Sequence, residues 1–458
     1  MSEESRSANT VKSEFLSKKI PTLFWKYSLF ALAGMIFQFL TVFFDGTFVG
    51  NGVGQIGLAS ISIIMPFWTI GLALIMLFGV GASTVAAIKL GTGDQEGARN
   101  VYGKLTAFSF LFSAAISILV LLFLDPVLTG LGASAEVSPA ARAYMIPFLI
   151  GFPFYVAGTV AYLFTRIAEK PFIATLAYTI PAVVSIIAEY YFIFKMDLGM
   201  AGSGIAYAIC TGCTIFLVPY LQTKTIFKLK ASDFKPDMKV IFEAVKIGFP
   251  QFAINICTAV YAIIVNNLIL KYGGTPMETA IFGIVNAYIA FIFVTLTNSF
   301  CQGIQPIASY NTGAKLHSRV AALIKVGITQ STFVLVAATA ILLLAADPII
   351  KLFAGPDPMF NAAVKSVMVV FLMLYALGNV SQVASAYFIA VEKIGLAIIN
   401  GISRILIFAV PLLFIMPQIF GLKGIWMAQP GADALAFALA LFCLIREYRK
   451  LKQMTDGE

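Results

Sequence analysis

Hydrophobic positions run along this chain in long unbroken blocks separated by short polar breaks. The hydrocarbon core of a bilayer is about 30 Å thick and takes roughly 20 residues of helix to cross. Twelve blocks are long enough: 22–49, 57–88, 104–124, 143–165, 172–194, 201–222, 244–270, 279–309, 321–346, 363–390, 396–417 and 424–445. The pattern predicts an all-α polytopic membrane protein of twelve transmembrane helices, with no room for a soluble domain between them. The polar N-terminal stretch MSEESRSANTVKSEFLSKK lacks a small-residue cleavage site before the first block, so it is expected to remain on the chain.

The blocks repeat. At an offset of 222 residues Gly81 and Gly91 fall on Gly303 and Gly313, Asp125-Pro126 on Asp347-Pro348, and Gly199 and Gly202 on Gly421 and Gly424. Glu169-Lys170 meets Glu392-Lys393 one residue out of step, as a single insertion would produce. So many coincidences at one offset mark an internal duplication. Six spans is an even number, so both halves enter the membrane from the same side and form parallel repeats. The expected organisation is an N-terminal lobe (1–222), a linker (223–239) and a C-terminal lobe (240–458). Two parallel six-helix bundles around a midplane site suit an alternating-access carrier; a channel or scaffold is the competing class.

Composition agrees with the blocks: 60% of residues are hydrophobic, 12% are charged and mean hydropathy is +0.91, about half the charge of a soluble domain. Of 31 Lys and Arg, only Arg142, Lys195, Lys271, Lys351, Lys365 and Lys423 fall on one side of the predicted topology. That bias puts both termini in the cytoplasm of a plasma or inner membrane. The densest basic stretch, Lys224 to Lys246, is suited to anionic headgroups or is ordinary topological bias. The net charge of +9 is spread over loops, which argues against nucleic acid as a partner; lipid and small molecules are the expected partners, and a monomer the expected state. All five cysteines lie within spans, and the Cys210–Cys213 pair has no second pair to complete a metal site. The single histidine, His317, falls in a loop, so proton traffic inside the membrane would use carboxylates. Gly91–Gly97 lacks the GK[ST] ending of a phosphate loop, and no ATP-binding domain is visible, so an ion gradient is the expected energy source. No nucleophile–base arrangement argues for an enzyme, and no cofactor is expected.

Acids within the spans are the candidate chemistry, because a charge there is costly and marks an ion or substrate pathway. Asp45 lies on the first span with Gln38 and Thr41 on its face. Tyr178, Pro181, Ser185 and Glu189 form a stripe on the fifth. Both helices run outward, so the two acids occupy the same half of the membrane and can converge. Two carboxylates sharing a low-dielectric pocket would hold a proton between them or take up Na⁺. The assigned ion-coupling group is Asp45, Glu189, Ser185 and Tyr178. Asn255, Thr258 and Asn266 on the seventh span, Asn298, Gln302 and Gln305 on the eighth, and Asn379 and Gln382 on the tenth suit a neutral substrate cavity together with Gln38 and Thr41, or else bond between helices. Asp433, on the last span, either meets a cationic substrate or pairs with Arg404.

Four features together resemble the multidrug and toxic compound extrusion (MATE) family: FFDGTFVG around Asp45, GASTVAAIKLGTGD (Gly81–Asp94), its partner GIQPIASYNTGAK (Gly303–Lys315), and the duplicated layout. The resemblance implies a V-shaped pair of six-helix bundles, in which an H⁺- or Na⁺-coupled antiporter exports amphipathic, often cationic, compounds. Asp45 matches the family's acid on the first helix. Glu189 and Ser185 stand where many members carry an aspartate four residues after an asparagine. The acids that NorM-like members carry on the seventh and tenth helices are replaced here by Asn255, Thr258 and Asn379, so the chain is more similar to the MepA-like branch coupled through the N-terminal lobe. A flippase of related architecture for lipid-linked oligosaccharides or peptides is the alternative.

Overall fold

The computed structural model describes residues 13–234, 237–354 and 357–457. Its membrane-crossing helices are α1 (Ile20–Gly52), α2 (Gln55–Gly91), α3 (Gln95–Leu122), α4 (Ser138–Ile167), α5 (Pro171–Phe194), α6 (Gly199–Lys224), α7 (Met238–Lys271), α8 (Met277–Gly313), α9 (His317–Leu344), α10 (Pro358–Leu372 with Tyr375–Ala390), α11 (Ile394–Phe420) and α12 (Leu422–Lys452). They form two six-helix bundles, α1–α6 and α7–α12, arranged as a V.

The duplication extends to the turns. Left-handed residues end the same helix in each bundle: Glu169 (φ 63°) after α4 and Glu392 (φ 58°) after α10, Gly93 (φ 86°) after α2 and Lys315 (φ 54°) after α8. Gly199 (φ 50°) and Gly421 (φ 58°) open α6 and α12. Asp125 and Asp347 each pair with a base about eighteen residues on, Arg142 and Lys365.

The sequence pattern predicts a continuous tenth span; α10 instead bends by 44° between Leu372 and Tyr375. Neither proline nor glycine causes it. Asn379 Nδ2 donates to the Tyr375 carbonyl at 2.8 Å, and the Arg404 guanidinium lies 4.0 Å from the Tyr375 ring centre. The break is shaped by side chains that gather around a buried charge pair.

Both terminal segments lie against the turn between α8 and α9. Near the N-terminus, Arg319 Nη2 donates to the Phe15 and Lys18 carbonyls, and near the C-terminus Gly457 N donates to the Lys315 carbonyl. This terminal face is where the bundles close on each other. A Cβ on Gly91 would overlap the Tyr310 carbonyl, and one on Gly313 the Ile88 carbonyl; likewise Gly81 abuts Ala244 and Gly248 abuts Leu77. Backbones touch across the seam because these residues have no side chain. Gly313→Ala is therefore expected to part the bundles at this face. In a background with the native cysteines replaced, a cysteine at the buried position Ser309 should then label with a maleimide several-fold faster; an unchanged rate would count against the seal.

A short helix, Glu14–Ser17, straps the same face. Phe15 is fully buried between Tyr27 of α1 and Tyr310 of α8, at ring distances of 5.0 and 5.2 Å. Burial alone would raise the Glu14 carboxyl, but hydrogen bonds from Lys18, Lys26 and Tyr27 outweigh it and hold the group below its ordinary value of 4.5. A depressed carboxyl contributes stability above its unfolded value and loses it as pH falls through the folded one. The strap should thus stay docked above pH 4.5 and loosen below it, which falling anisotropy of a fluorophore at Ser17→Cys would register.

The basic linker is anchored to the N-terminal bundle. Phe227 is fully buried against Tyr102 and Phe164, and Arg99 Nε and Lys104 Nζ reach Asp233 and Asp237 at 2.9 and 3.1 Å. These contacts fold the linker back under α3 and α4.

Candidate functional site

Small residues bring three helices together in the half of the molecule away from the terminal face. Gly52 of α1 abuts Ile193 of α5, and Phe48 packs on Tyr190 and Phe194 at 6.0 and 5.9 Å. That contact sets Asp45 opposite Glu189. Helix α6 opens with Gly199-Met-Ala-Gly-Ser-Gly; a Cβ on Gly204 would come within 2.5 Å of the Tyr144 carbonyl and one on Gly202 within 3.0 Å of Phe192 Cβ. The missing side chains let α6 wedge between α4 and α5. Ser203 is thereby inserted between the acids.

Ser203 Oγ lies 2.8 Å from Asp45 Oδ1 and 2.8 Å from Glu189 Oε1, and Glu189 also hydrogen-bonds Asp45. Ser203 and Glu189 are 1% and 2% exposed; Asp45 is half-buried. The hydroxyl carries a single proton and can donate to one carboxylate only. A proton held by either acid turns one of the two remaining contacts, the second contact to Ser203 or the direct one between the acids, into a hydrogen bond. Tyr144 of α4 lies within electrostatic reach of both acids.

Two of the four assigned coupling residues stand elsewhere. Ser185 is buried but bonds Cys210 rather than Glu189. Tyr178 lies about three turns from Glu189 along α5, edge-on to Tyr162 at 4.8 Å. Helical spacing placed them on the face of Glu189; the wedged α6 took the contact instead. Ser203 and Tyr144 were not among the expected residues. The glycines around Ser203 were the available signal, since a run of small residues admits a close neighbour to whatever lies between them.

Between the bundles a cavity of about 140 Å³ is lined by Gln38, Tyr155, Tyr162, Tyr178, Gln251, Asn255, Asn298, Gln302 and Gln305 among apolar residues, with no charged side chain in its wall. Tyr162 donates to Gln302 across the bundles, and Gln305 Nε2 donates to Thr84 Oγ1 at 2.9 Å. A second hollow of about 50 Å³ shares Gln38, Tyr155 and Tyr178 with it and enters the N-terminal bundle along Thr41, Trp68, Tyr207 and Cys210. Its wall is drawn largely from α1, α5 and α6, the helices that carry Asp45, Glu189 and Ser203, although none of those three lines it.

Gln38, Asn255, Asn298 and Gln305 thus line the cavity as expected from sequence, and Thr41 lines its branch. Thr258 and Asn266 are exposed on α7 outside that wall, and Gln382 stands behind it, its carbonyl accepting from Cys301 Sγ. Asp433 and Asn379 are not cavity residues either. Both are fully buried inside the C-terminal bundle, where Arg404 Nε donates to Asp433 Oδ1 at 2.6 Å and Arg404 Nη1 to Asn379 Oδ1 at 2.9 Å. Gln429 donates to Asp433 at 2.9 Å and accepts from Tyr261. The α11 segment Ser403–Ala409 is a π-helical turn that aims Arg404 inward, and Gly378 leaves room for the Asp433 carboxylate. Of the two alternatives for Asp433, the pair with Arg404 is the one formed. Among the described residues, no group of three or more His, Cys, Asp or Glu side chains is placed to hold a metal.

With this geometry in hand, comparison with known proteins gives one consistent answer. The MatE family model matches residues 31–191 and 250–415, once in each bundle. The multidrug export protein MepA of Staphylococcus saprophyticus is 24% identical over 418 residues, 91% of this chain and 90% of that protein. MepA of Staphylococcus aureus is 24% identical over 423 residues, 90% of each. Among solved structures, an outward-facing multidrug resistance MATE family transporter of the MOP superfamily superposes with a TM-score of 0.89 at 20% identity, covering 96% of this chain and 98% of that one. A mutant of the Vibrio cholerae MATE transporter VcmN gives 0.87 at 16% identity, covering 94% and 97%.

Proposed function

The chain belongs to the MatE family, and from that premise we propose that it is a cation-coupled antiporter exporting amphipathic compounds by alternating access. It is an integral membrane transporter and not an enzyme. The single observation that carries the coupling mechanism is the Ser203 hydroxyl held between Asp45 and Glu189, on helices that also wall a branch of the central cavity. A hydroxyl bridging two acids is complete with one shared proton, which favours H⁺ over Na⁺ as the coupling ion.

The route of exchange follows from the bundles' contacts. The terminal face, taken as cytoplasmic from the distribution of Lys and Arg, is sealed by glycine-to-backbone contacts. A proton arriving from the far side reaches the pair through the open half of the V, and a substrate entering from the cytoplasm needs that seal to part. Two states that bind proton and substrate with different affinity suffice for exchange. The cavity's tyrosine faces suit flat or cationic aromatic bodies and its amides suit their polar edges. The protein works as a monomer, since each chain contains both bundles. The flippase alternative is not favoured: no cluster of basic side chains lines the cavity to hold a pyrophosphate.

Ethidium movement in proteoliposomes, with H⁺ and Na⁺ gradients imposed separately, tests this reading. Movement driven by the proton gradient alone is expected. Movement indifferent to both gradients would overturn coupling, and movement driven by Na⁺ alone would reassign the ion.

A further inference from the structure

Beneath the cavity, on the side of the terminal face, lies a buried charge that the exporter mechanism above does not use. Arg166 ends α4 and is 3% exposed, yet its Nη2 has no hydrogen-bond partner. No carboxylate among the described residues neutralises it. The Tyr162 ring centre lies 5.8 Å from its guanidinium carbon, and the hydroxyl of that tyrosine is already spent on Gln302. Beside it is a void of about 10 Å³, the size of one water, walled by Leu163 and Gln305 of the central cavity and by Ser309, whose buried Oγ is also unpartnered. A guanidinium and a hydroxyl with unspent donors therefore meet across the seam, the first from the N-terminal bundle and the second from the C-terminal one. Buried polar groups are ordinarily satisfied, and a buried guanidinium without an anion is the exception that calls for a ligand.

We propose that Arg166, with Ser309, is a docking site for the carboxylate of an amphipathic zwitterionic substrate whose aromatic body occupies the tyrosine-lined cavity above. The inference rests on the exporter reading and names a substrate class for it. Arginine's planar fork matches a carboxylate's two oxygens. In the sealed state the void has room for one water and is too small for a carboxylate; the site opens only as the bundles part at the terminal face. An acid bound there is expelled when the glycine seal re-forms, which favours uptake on that side and release on the other.

The test uses two dyes of one scaffold: rhodamine 123, a methyl ester and a cation, and rhodamine 110, its free acid. Their affinities for the full-length protein are measured by fluorescence polarisation in nanodiscs of phosphatidylcholine, which contain no competing anionic lipid. The readout is the ratio of the two affinities within one preparation, so the fraction of folded protein cancels. The parent should favour rhodamine 110 over rhodamine 123 by about tenfold more than Arg166→Gln does, the worth of one charge-assisted hydrogen bond. Arg166→Lys should keep much of the preference, and Ser309→Ala should lose a smaller part of it.

An equal ratio in parent and Arg166→Gln, or equal weakening of both dyes, would overturn the proposal and reduce Arg166 to a structural role. If rhodamine 123 is exported on a proton gradient while the ratio ignores Arg166, the anion site falls and the exporter stands. An Arg166-dependent ratio without gradient-driven movement supports the site and sinks the coupling. Failure of both dyes to bind the parent would overturn both readings.

Discussion

Glu189→Gln should reduce gradient-driven export to the level of empty liposomes while leaving the protein folded and its cavity able to bind dye. An amide fills the same space and can still bond Ser203, but it neither takes up nor releases a proton at any working pH. Asp45 remains, but as a lone half-buried carboxylate it no longer shares a proton with a second acid, and an equilibrium cannot be driven by a ligand that binds both states alike. Asp45→Asn should have the same consequence. Ser203→Ala is the more discriminating change. It removes a hydrogen bond to a charged group, worth about 1.5–3 kcal/mol, so the pair's affinity for its ion should change by about ten- to a hundredfold. Export should survive with its pH dependence displaced by one unit or more. The measurement is initial efflux rate against pH for parent and all three variants. Normal coupled export by Glu189→Gln would remove the acid pair from the mechanism.

Loss of Arg404 should be the most damaging single change to stability. Removing one partner of a buried ion pair leaves the other charge uncompensated, at about 3–5 kcal/mol, which for a helical membrane protein of this kind means on the order of ten degrees of thermal tolerance. Arg404→Leu strands Asp433, which is fully buried and already has one oxygen, Oδ2, without a partner. The double variant Arg404→Leu with Asp433→Leu should recover most of the loss, because an apolar pair of similar volume needs no desolvation. Gly378→Ala should fall between, its Cβ overlapping the Asp433 carboxylate. The fraction remaining monodisperse after heating orders the four proteins, with ethidium export measured alongside. Equal heat resistance in Arg404→Leu and parent would show that the pair is not structural, and loss of coupling without loss of stability would return Asp433 to the list of transport residues.

The two acid sites differ in how plainly the chain announced them. Asp45 and Glu189 stood out because each interrupts an apolar block, and helix direction alone put them in the same half of the membrane. Ser203 did not stand out: serine is inexpensive within a membrane helix and carries no charge. Its role depends on α6 approaching two neighbours closely, and the only trace of that approach was the surrounding glycines. Helical periodicity assigned Ser185 and Tyr178 to Glu189 because it knows one helix at a time. In the C-terminal bundle Arg404 and Asp433 were recognised as possible partners, while the break in α10 that accommodates them left no proline or glycine at the bend to betray it.

Sequence alone determined the membrane, the twelve spans, the duplication and the matched turns, because these depend on local quantities: apolar length, side-chain polarity and backbone freedom, each readable from a stretch of neighbours. The tertiary structure decided which polar group meets which. Ser203 between the acids, Asp433 locked to Arg404, the linker folded beneath its bundle and Arg166 left without an anion all follow from where glycines allow helices to touch. Contact between distant segments is set by the summed packing of all twelve helices, and no single stretch of chain encodes it.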